Sequence, residues 1–160
     1  MVQGKAEGKL VKIYLDNCCF NRPYDDQTQI RISLETQAKM YIQDLVKEKK
    51  VGLVTSYVLW YENSQNPYET KRTAIEEYIQ ENSTDYIDID KADLIKRNAE
   101  EIMGTGIKMK DVYHVSCAIY ASCDYFLTTD DRLLKYCTDK IHMLNPIDFL
   151  RRLEDDLDDK

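Results

Sequence analysis

Four acidic residues occupy positions where the surrounding hydrophobic pattern calls for an apolar side chain. Asp16 and Asp130 end the short apolar runs VKIYL and YFLTT, and the carboxyl ends of strands are where α/β sheets bind ligands. Glu62 and Asp111 each stand four residues from a valine, a spacing that puts them on the apolar face of a helix. Clustered carboxylates repel one another unless a cation neutralises them or some bind protons. Because oxygen ligands without Cys or His favour hard cations, the pattern indicates a Mg²⁺ or Mn²⁺ site suited to phosphate chemistry.

Each of these acids also has an ordinary structural interpretation. Asp16 could be a turn residue at a strand end, and Asp130 could be the N-cap of the following helix. Asp111 could be a first-turn acid stabilised by the helix dipole, and Glu62 could lie at a frayed, solvated helix end. The metal hypothesis therefore depends on all four converging on one edge of one sheet.

The elements that must position these acids alternate between strands and helices. The predicted strands are 11–16, 51–55, 85–89, 124–129 and 141–144. Strands that are apolar throughout and separated by helices indicate a mainly parallel sheet covered on both faces. We therefore predict an α/β fold, a three-layer α/β/α sandwich with about five strands.

Two helix predictions depend on particular residues. Between Thr28 and Lys49, apolar residues recur at steps of three and four and predict one buried helical stripe. This stripe consists of Ile30, Leu34, Ala38, Tyr41 and Leu45. The pair Asn66-Pro67 predicts the start of another helix, whose buried face would be Ile75, Tyr78 and Ile79. Further along, Asp90 is the predicted cap of a helix that ends near Gly104.

Composition limits the possible functions. The chain has 160 residues, 43% of them hydrophobic, as expected of one globular domain. A net charge of −7 excludes nucleic-acid binding through bulk charge, so such a role needs a local patch or a bound cation. We expect a cytoplasmic protein with no membrane association, because there is no long apolar run and the first residues do not resemble a signal peptide. The five cysteines contain no C-x-x-C pair and are expected to be reduced.

Three regions are predicted along the chain. Residues 1–10 form an N-terminal extension, residues 11–150 the folded domain, and residues 151–160 an acidic, solubilising tail.

Four segments together resemble a known family. KIYLDNCCFNRP, SYVLWYENS, KMKDVYHVSCAIYA and DYFLTTDDRLL are similar to the four motif regions of PIN domains. This family of metal-dependent ribonucleases includes the VapC toxins of bacterial and archaeal toxin–antitoxin pairs. The likeness spans residues 12–144. It implies a PIN-like fold and a Mg²⁺- or Mn²⁺-dependent endoribonuclease, with an antitoxin protein as a partner and a homodimer as the assembly.

The resemblance also assigns roles to individual residues. It implies that the catalytic and metal-binding acids are Asp16, Glu62, Asp111 and Asp130, supported by Asn17 and the hydroxyl of Thr128. The positive charges closest to these acids along the chain, which could hold RNA phosphates, belong to Arg22, Lys108 and Lys110. We interpret His114 as a packed residue behind the site rather than a ligand or base, and Asp131 as a solvated helix N-terminus.

Two other functions stay open from the sequence. The first is a PIN-like module that binds RNA or protein without cleaving, against which the presence of all four acids argues. The second is a phosphatase of the haloacid dehalogenase type, which needs Asp-x-Asp where this chain has Asp16-Asn17-Cys18.

Overall fold

The computed structural model of the protein describes residues 10–158, with side chains through residue 155. The predicted extension therefore lies outside the described residues except for Leu10. Five strands form one sheet in the described part of the chain. They are β1 (Lys12–Leu15), β2 (Gly52–Ser56), β3 (Asp85–Ile87), β4 (Tyr125–Leu127) and β5 (His142–Leu144). Every neighbouring pair is parallel and the order is β3-β2-β1-β4-β5, which confirms the predicted sheet.

Helices connect the strands and cover both faces of the sheet. They are α1 (Asn17–Asn21), α2 (Ile30–Lys47), α3 (Tyr57–Ser64), α4 (Glu69–Asn82), α5 (Ala92–Glu100), α6 (Met109–Tyr120), α7 (Asp131–Leu134) and α8 (Pro146–Asp158). Short 3₁₀ turns at Arg22–Tyr24 and Ile89–Lys91 complete the described elements. No helix in residues 10–158 is long and apolar enough to cross a membrane.

Strand β1 separates two hydrophobic cores. Its Ile13 and Leu15 pack with residues of α1, α2, α4 and α8 on one face of the sheet. Tyr14 points to the other face and packs with residues of α5 and α6. Both faces are thus buried, as a parallel sheet requires.

Register brings the ends of β1 and β4 together. Leu15 lies opposite Leu127, so Asp16 and Thr128, the next residues of the two strands, are neighbours. The strand order also reverses between β1 and β4, because the chain adds β2 and β3 on one side and β5 on the other. This reversal creates the crevice where open α/β sheets bind ligands.

The prediction of which α2 residues are buried is wrong for three of the five residues in the stripe. Ile30, Leu34 and Tyr41 are exposed by 78%, 49% and 60%. The buried face consists of Glu35, Ala38, Lys39, Ile42 and Val46. The periodicity identified the helix but not its orientation, because two charged residues that normally face solvent are buried here.

Three predicted boundaries also differ from the structure. Helix α4 begins at Glu69 rather than Pro67, because Asn66 accepts a hydrogen bond from the Tyr68 backbone and forms a turn. Asp88, not Asp90, caps the 3₁₀ turn before α5. Helix α8 continues to Asp158, so residues 151–158 are helical rather than a loose tail.

Lys39 is an unusual member of the α2 interface. Its side chain is only 6% exposed, and its ammonium lies 5.5 Å from the ring centre of Phe20 and 5.8 Å from that of Tyr78. Burial lowers the Lys39 pKa to about 8, and the charge of Lys47 lowers it further, while Cys19 opposes the shift. Cation–π contacts compensate only partly for the desolvation of an ammonium.

We predict that Lys39→Met stabilises the protein by up to about 3 kcal/mol at neutral pH. The folded-state pKa lies below the unfolded value, so the native protein carries an unfavourable charge below about pH 8. Native stability should therefore rise as pH increases from about 8 to about 10, and the variant should lack this rise. Urea unfolding across this pH range measures the effect.

Lys96→Met, at an exposed position of α5, is the matched control and should leave stability nearly unchanged. Equal effects of the two substitutions, or a destabilised Lys39→Met protein, would contradict this explanation.

Candidate functional site

Asp16 stands at the junction of β1 and α1, where the chain fixes both of its carboxylate oxygens. It is the N-cap of α1, and its Oδ1 accepts a hydrogen bond from the Asn17 backbone at 2.8 Å. Its Oδ2 accepts from the Thr128 hydroxyl at 2.9 Å and from the Cys18 thiol at 3.4 Å. The side chain is buried. Asp16 is therefore both a helix cap and a carboxylate held at the sheet edge.

Thr128 joins Asp16 to the segment that carries Asp130. While donating to Asp16, its Oγ1 accepts a hydrogen bond from the Asp130 backbone at 3.1 Å. Asp130 is the N-cap of α7 and accepts from the Arg132 backbone at 2.9 Å. The capping interpretation of Asp130 is thus correct, and it is compatible with a place at the site.

Asp111 lies in the first turn of α6 and is buried. The loop before this helix turns through Gly104 and Gly106, at φ 87° and 92°, values that glycine adopts without strain. Burial raises the pKa of Asp111 to about 6, and the charges of Asp16 and Asp130 add to the increase. His114 and Lys110 act in the opposite direction. The carboxyl of Asp111 is therefore close enough to those of Asp16 and Asp130 for their charges to affect its ionisation.

Glu62 projects from α3 and is held by two residues of α6. Its Oε1 is 2.7 Å from His114 Nε2, and its Oε2 accepts from Lys110 Nζ at 2.9 Å. Burial would raise the pKa of Glu62, but these two partners outweigh it and lower the pKa to about 2. Glu62 is therefore an ionised carboxylate of fixed orientation, not a frayed helix end.

A buried chain of hydrogen bonds lies behind Glu62. His114 Nδ1 is 2.6 Å from the Tyr14 hydroxyl, which is 2.7 Å from Ser56 Oγ. Ser56 also caps α3 by accepting from the Leu59 backbone. The chain thus connects the N-cap of α3 to the carboxylate on the next turn of the same helix. Both ring nitrogens of His114 have protein partners, which agrees with its interpretation as a packed residue behind the site.

The side chains of Asn17 and Cys18, which follow Asp16, differ in their hydrogen bonding. The Asn17 side-chain oxygen is buried and has no hydrogen-bond partner among the described residues. The Cys18 thiol contacts Thr128 Oγ1 and accepts from the Thr129 backbone, each at 3.4 Å. We did not predict Cys18 as part of the site; its only sequence signal is its position two residues after Asp16.

The predicted RNA-binding cations have different surroundings. Arg22 pairs with the buried Glu35 at 2.7 Å and with Asp25 at 3.1 Å. Lys110 pairs with Glu62, whereas Lys108 is exposed at the N-cap of α6.

Asp131 is exposed, as predicted, but it also has a partner. Arg31 Nη1 and Nη2 contact its two carboxylate oxygens at 2.9 and 2.8 Å, and Nη2 also donates to the Thr129 carbonyl. Arg31 pairs with Glu35 as well. This network fixes the segment next to Asp130 to helix α2.

The donor set fits a divalent cation. Asp16 and Glu62 each have a carboxylate oxygen within 4.8 Å of the other and of a ring nitrogen of His114. His114 already has hydrogen-bond partners at both nitrogens, and Asp111 and Asp130 do not belong to this closest group. Burial raises the pKa of Asp111, and the charges of Asp16 and Asp130 raise it further. The unpartnered oxygen of Asn17 is a further polar group next to Asp16. A cation here would relieve repulsion that the protein leaves unresolved.

Comparison with solved structures places this fold. One chain in the crystal structure of VapBC2 from Rickettsia felis, bound to a DNA fragment from its promoter, has a TM-score of 0.54 and 12% identity; the match covers 84% of this chain and 98% of that one. A chain of FitAcB from Neisseria gonorrhoeae has a TM-score of 0.47 and 17% identity, with the same coverage. No protein-family model and no curated protein sequence matches the chain. The likeness to the VapBC2 chain shows a PIN/VapC-like fold.

We predict that millimolar Mg²⁺ or Mn²⁺ raises the melting temperature, because a cation binds the clustered carboxylates of the folded state only. The increase should be larger at about pH 7.5 than at about pH 5, since protonated Asp111 no longer needs a counter-charge. Without metal, stability falls as pH rises from about 4 to about 6, because the unfolded carboxyl of Asp111 ionises while the folded one still binds its proton, and the full cost is present above about pH 6. Asp111→Asn should therefore stabilise the metal-free protein at about pH 7.5 and lose the metal response.

Asp93→Asn removes an exposed acid of α5 and serves as the control in these melting experiments. It should keep the full response to metal. A native melting temperature that neither ion changes, with metal shown to bind elsewhere, would exclude this site.

Proposed function

We propose that the protein is a Mg²⁺- or Mn²⁺-dependent endoribonuclease and the toxin of a type II toxin–antitoxin pair. The observation that carries the proposal is the position of Asp16 at the switch point of the sheet, within 4.8 Å of a carboxylate oxygen of Glu62. The PIN/VapC-like fold supports it, because the motif resemblance assigns the same acids to metal binding.

Each acid has a distinct task in this proposal. Asp16, Asp111 and Asp130 hold the cation, and Glu62 is a further ligand or orients water. The cation, when bound, supplies Lewis-acid activation of water and neutralises phosphodiester charge. Glu62 stays ionised, because His114 and Lys110 lower its pKa to about 2. Thr128 and the Asn17 backbone keep the Asp16 oxygens in place, and the Asn17 side chain supports the site.

The three predicted RNA-binding residues differ in whether an acid of the protein already pairs with them, and this decides how strongly each can bind phosphate. Lys108 is exposed, whereas Lys110 lies within reach of the acids but is already paired with Glu62. Arg22 contributes less, because Glu35 and Asp25 already balance its charge.

The proposed protein partner is an antitoxin that acts in the cytoplasm. An arginine of such a partner could insert among the acids, where a guanidinium would replace the metal charge and pair with carboxylates. Inhibition would then be competitive with metal and with RNA.

We predict that Asp16→Asn abolishes RNA cleavage, at least about a hundredfold, while the fold is retained. The amide keeps the size of the side chain but loses the charge that holds the cation. Cleavage of a labelled single-stranded RNA in Mn²⁺ and far-UV circular dichroism measure the two properties. Asp93→Asn should cleave like the native protein.

Three outcomes separate the alternatives. Full activity of Asp16→Asn, with contaminating nuclease excluded, refutes the site, and RNA binding without cleavage by the native protein favours the non-catalytic module. The toxin role is tested by expressing the native protein and Asp16→Asn in bacteria at matched levels. If the native protein cleaves RNA but cells with either protein grow equally, the protein is a nuclease with a role other than a toxin.

The proposed assembly is a homodimer formed through α2. Its Ile30, Leu34 and Tyr41 form an apolar face that the monomer leaves exposed. The apolar segment Tyr57–Trp60 is largely packed within the two cores and is not available for an interface. The α2 face is therefore the surface available for a second copy.

We predict that Leu34→Glu weakens dimerisation at least about tenfold, because it places an unpaired charge in an apolar interface. Sedimentation equilibrium measures the association. Leu94→Glu, at an exposed leucine of α5, is the matched control and should not change it. A native protein that is monomeric at all concentrations would contradict the assembly.

A further inference from the structure

Two tyrosines and a lysine, from the turn after α1 and from the start of α4, meet at the surface. Tyr24 lies in the 3₁₀ turn after α1, Tyr68 lies in the loop before α4, and Lys71 lies in the first turn of α4. The Lys71 ammonium is 5.4 Å from the ring centres of both tyrosines. The rings are 50% and 67% exposed. We call these three residues the tyrosine–lysine patch.

Hydrogen bonds tie the patch to the elements that carry the acids. Asn66, two residues before Tyr68, donates to the Asn21 side chain at the end of α1 at 3.5 Å. Arg72 donates to the Asn66 carbonyl at 2.8 Å, and its own carbonyl accepts from Asn63, the residue after Glu62. The patch is thus attached to α1, which begins after Asp16, and to α3, which carries Glu62.

The chain between Asp16 and the patch is short, which limits their separation. Two short helical segments separate Asp16 from Tyr24, and they span about 14 Å at most along their axes. A strand with one phosphate at the acids would therefore bring a nearby nucleotide to the patch.

The chemistry of the patch matches unpaired nucleotides. Exposed aromatic rings stack on bases of any sequence, and a neighbouring cation attracts the phosphate between them. Asp25, which follows Tyr24 in the sequence, is paired with Arg22. In a chain of net charge −7, RNA affinity has to come from local features of this kind.

We propose that the tyrosine–lysine patch binds unpaired bases of the RNA strand whose scissile phosphate lies at the acids. The proposal rests on the proposed ribonuclease function and adds a preference for single-stranded substrate. The patch supplies affinity and takes no part in the chemical step. It contacts the strand a few nucleotides from the cleaved bond.

Equilibrium binding of a fluorescein-labelled, mixed-sequence single-stranded RNA tests the patch, with the native protein in Ca²⁺ as the background, so that the acids keep a divalent cation while cleavage is suppressed. Tyr24→Ala and Tyr68→Ala should each weaken binding about 5- to 100-fold, whereas Tyr→Phe at either position should restore it, since stacking needs only the ring. Lys71→Gln should lower the slope of log affinity against log salt by about 1. The same RNA as a duplex should bind more weakly and respond little to the tyrosine variants.

Tyr120→Ala is the matched control: this exposed tyrosine ends α6, at the opposite end of that helix from Asp111. It should bind RNA like the background protein. Unchanged RNA affinity of both patch alanine variants overturns the patch, even if the native protein cleaves RNA. Loss of self-association or protein-partner binding with unchanged RNA affinity makes it a protein-binding surface instead. Failure of the native protein to bind or cleave any RNA refutes the proposed function itself.

Discussion

Burial of the Asp111 carboxyl beside other acids is the constraint on which the architecture of this site depends. Burial and the charges of Asp16 and Asp130 together raise the pKa of Asp111 to about 6, which means that its ionisation opposes folding. The fold tolerates this cost because donors fix the neighbouring acids, as Thr128 does for Asp16 and His114 for Glu62. Local instability of this kind is typical of sites that await a ligand.

The sheet explains how the acids can be held so rigidly. Asp16 and Thr128 follow paired residues of adjacent parallel strands, so their contact is set by the backbone register. On the other face of β1, Tyr14 reaches Ser56 at the end of β2 and His114 on α6. One strand therefore positions the first acid directly and the second through a buried chain of hydrogen bonds. Both contacts depend on residues that are inaccessible to solvent, which restricts their movement.

The sequence predicted the features that depend on local pattern. Apolar runs between helical segments were enough for the parallel sheet, and acids at their ends were enough to nominate Asp16 and Asp130. The buried face of α2 could not be predicted in this way, because Glu35 and Lys39 are buried through partners distant in the chain, such as Arg22 and Phe20. Contacts of Tyr14 with Ser56 and His114 were missed for the same reason. The two contacts join residues that are separated by 42 and by 100 positions in the sequence. A periodic pattern of apolar residues cannot predict contacts between such distant residues.

Charge balance around the acids explains why a cation matters more here than in a basic nuclease. Arg31 is committed to Asp131 and Glu35, and Lys110 is committed to Glu62. These positive charges already compensate acids of the same chain, so they offer little net attraction to a phosphodiester. With an overall charge of −7, the protein would repel RNA at long range. In the proposed function, a divalent cation among the acids would reverse the local potential, so that a single ion would both stabilise the site and allow it to accept a polyanion.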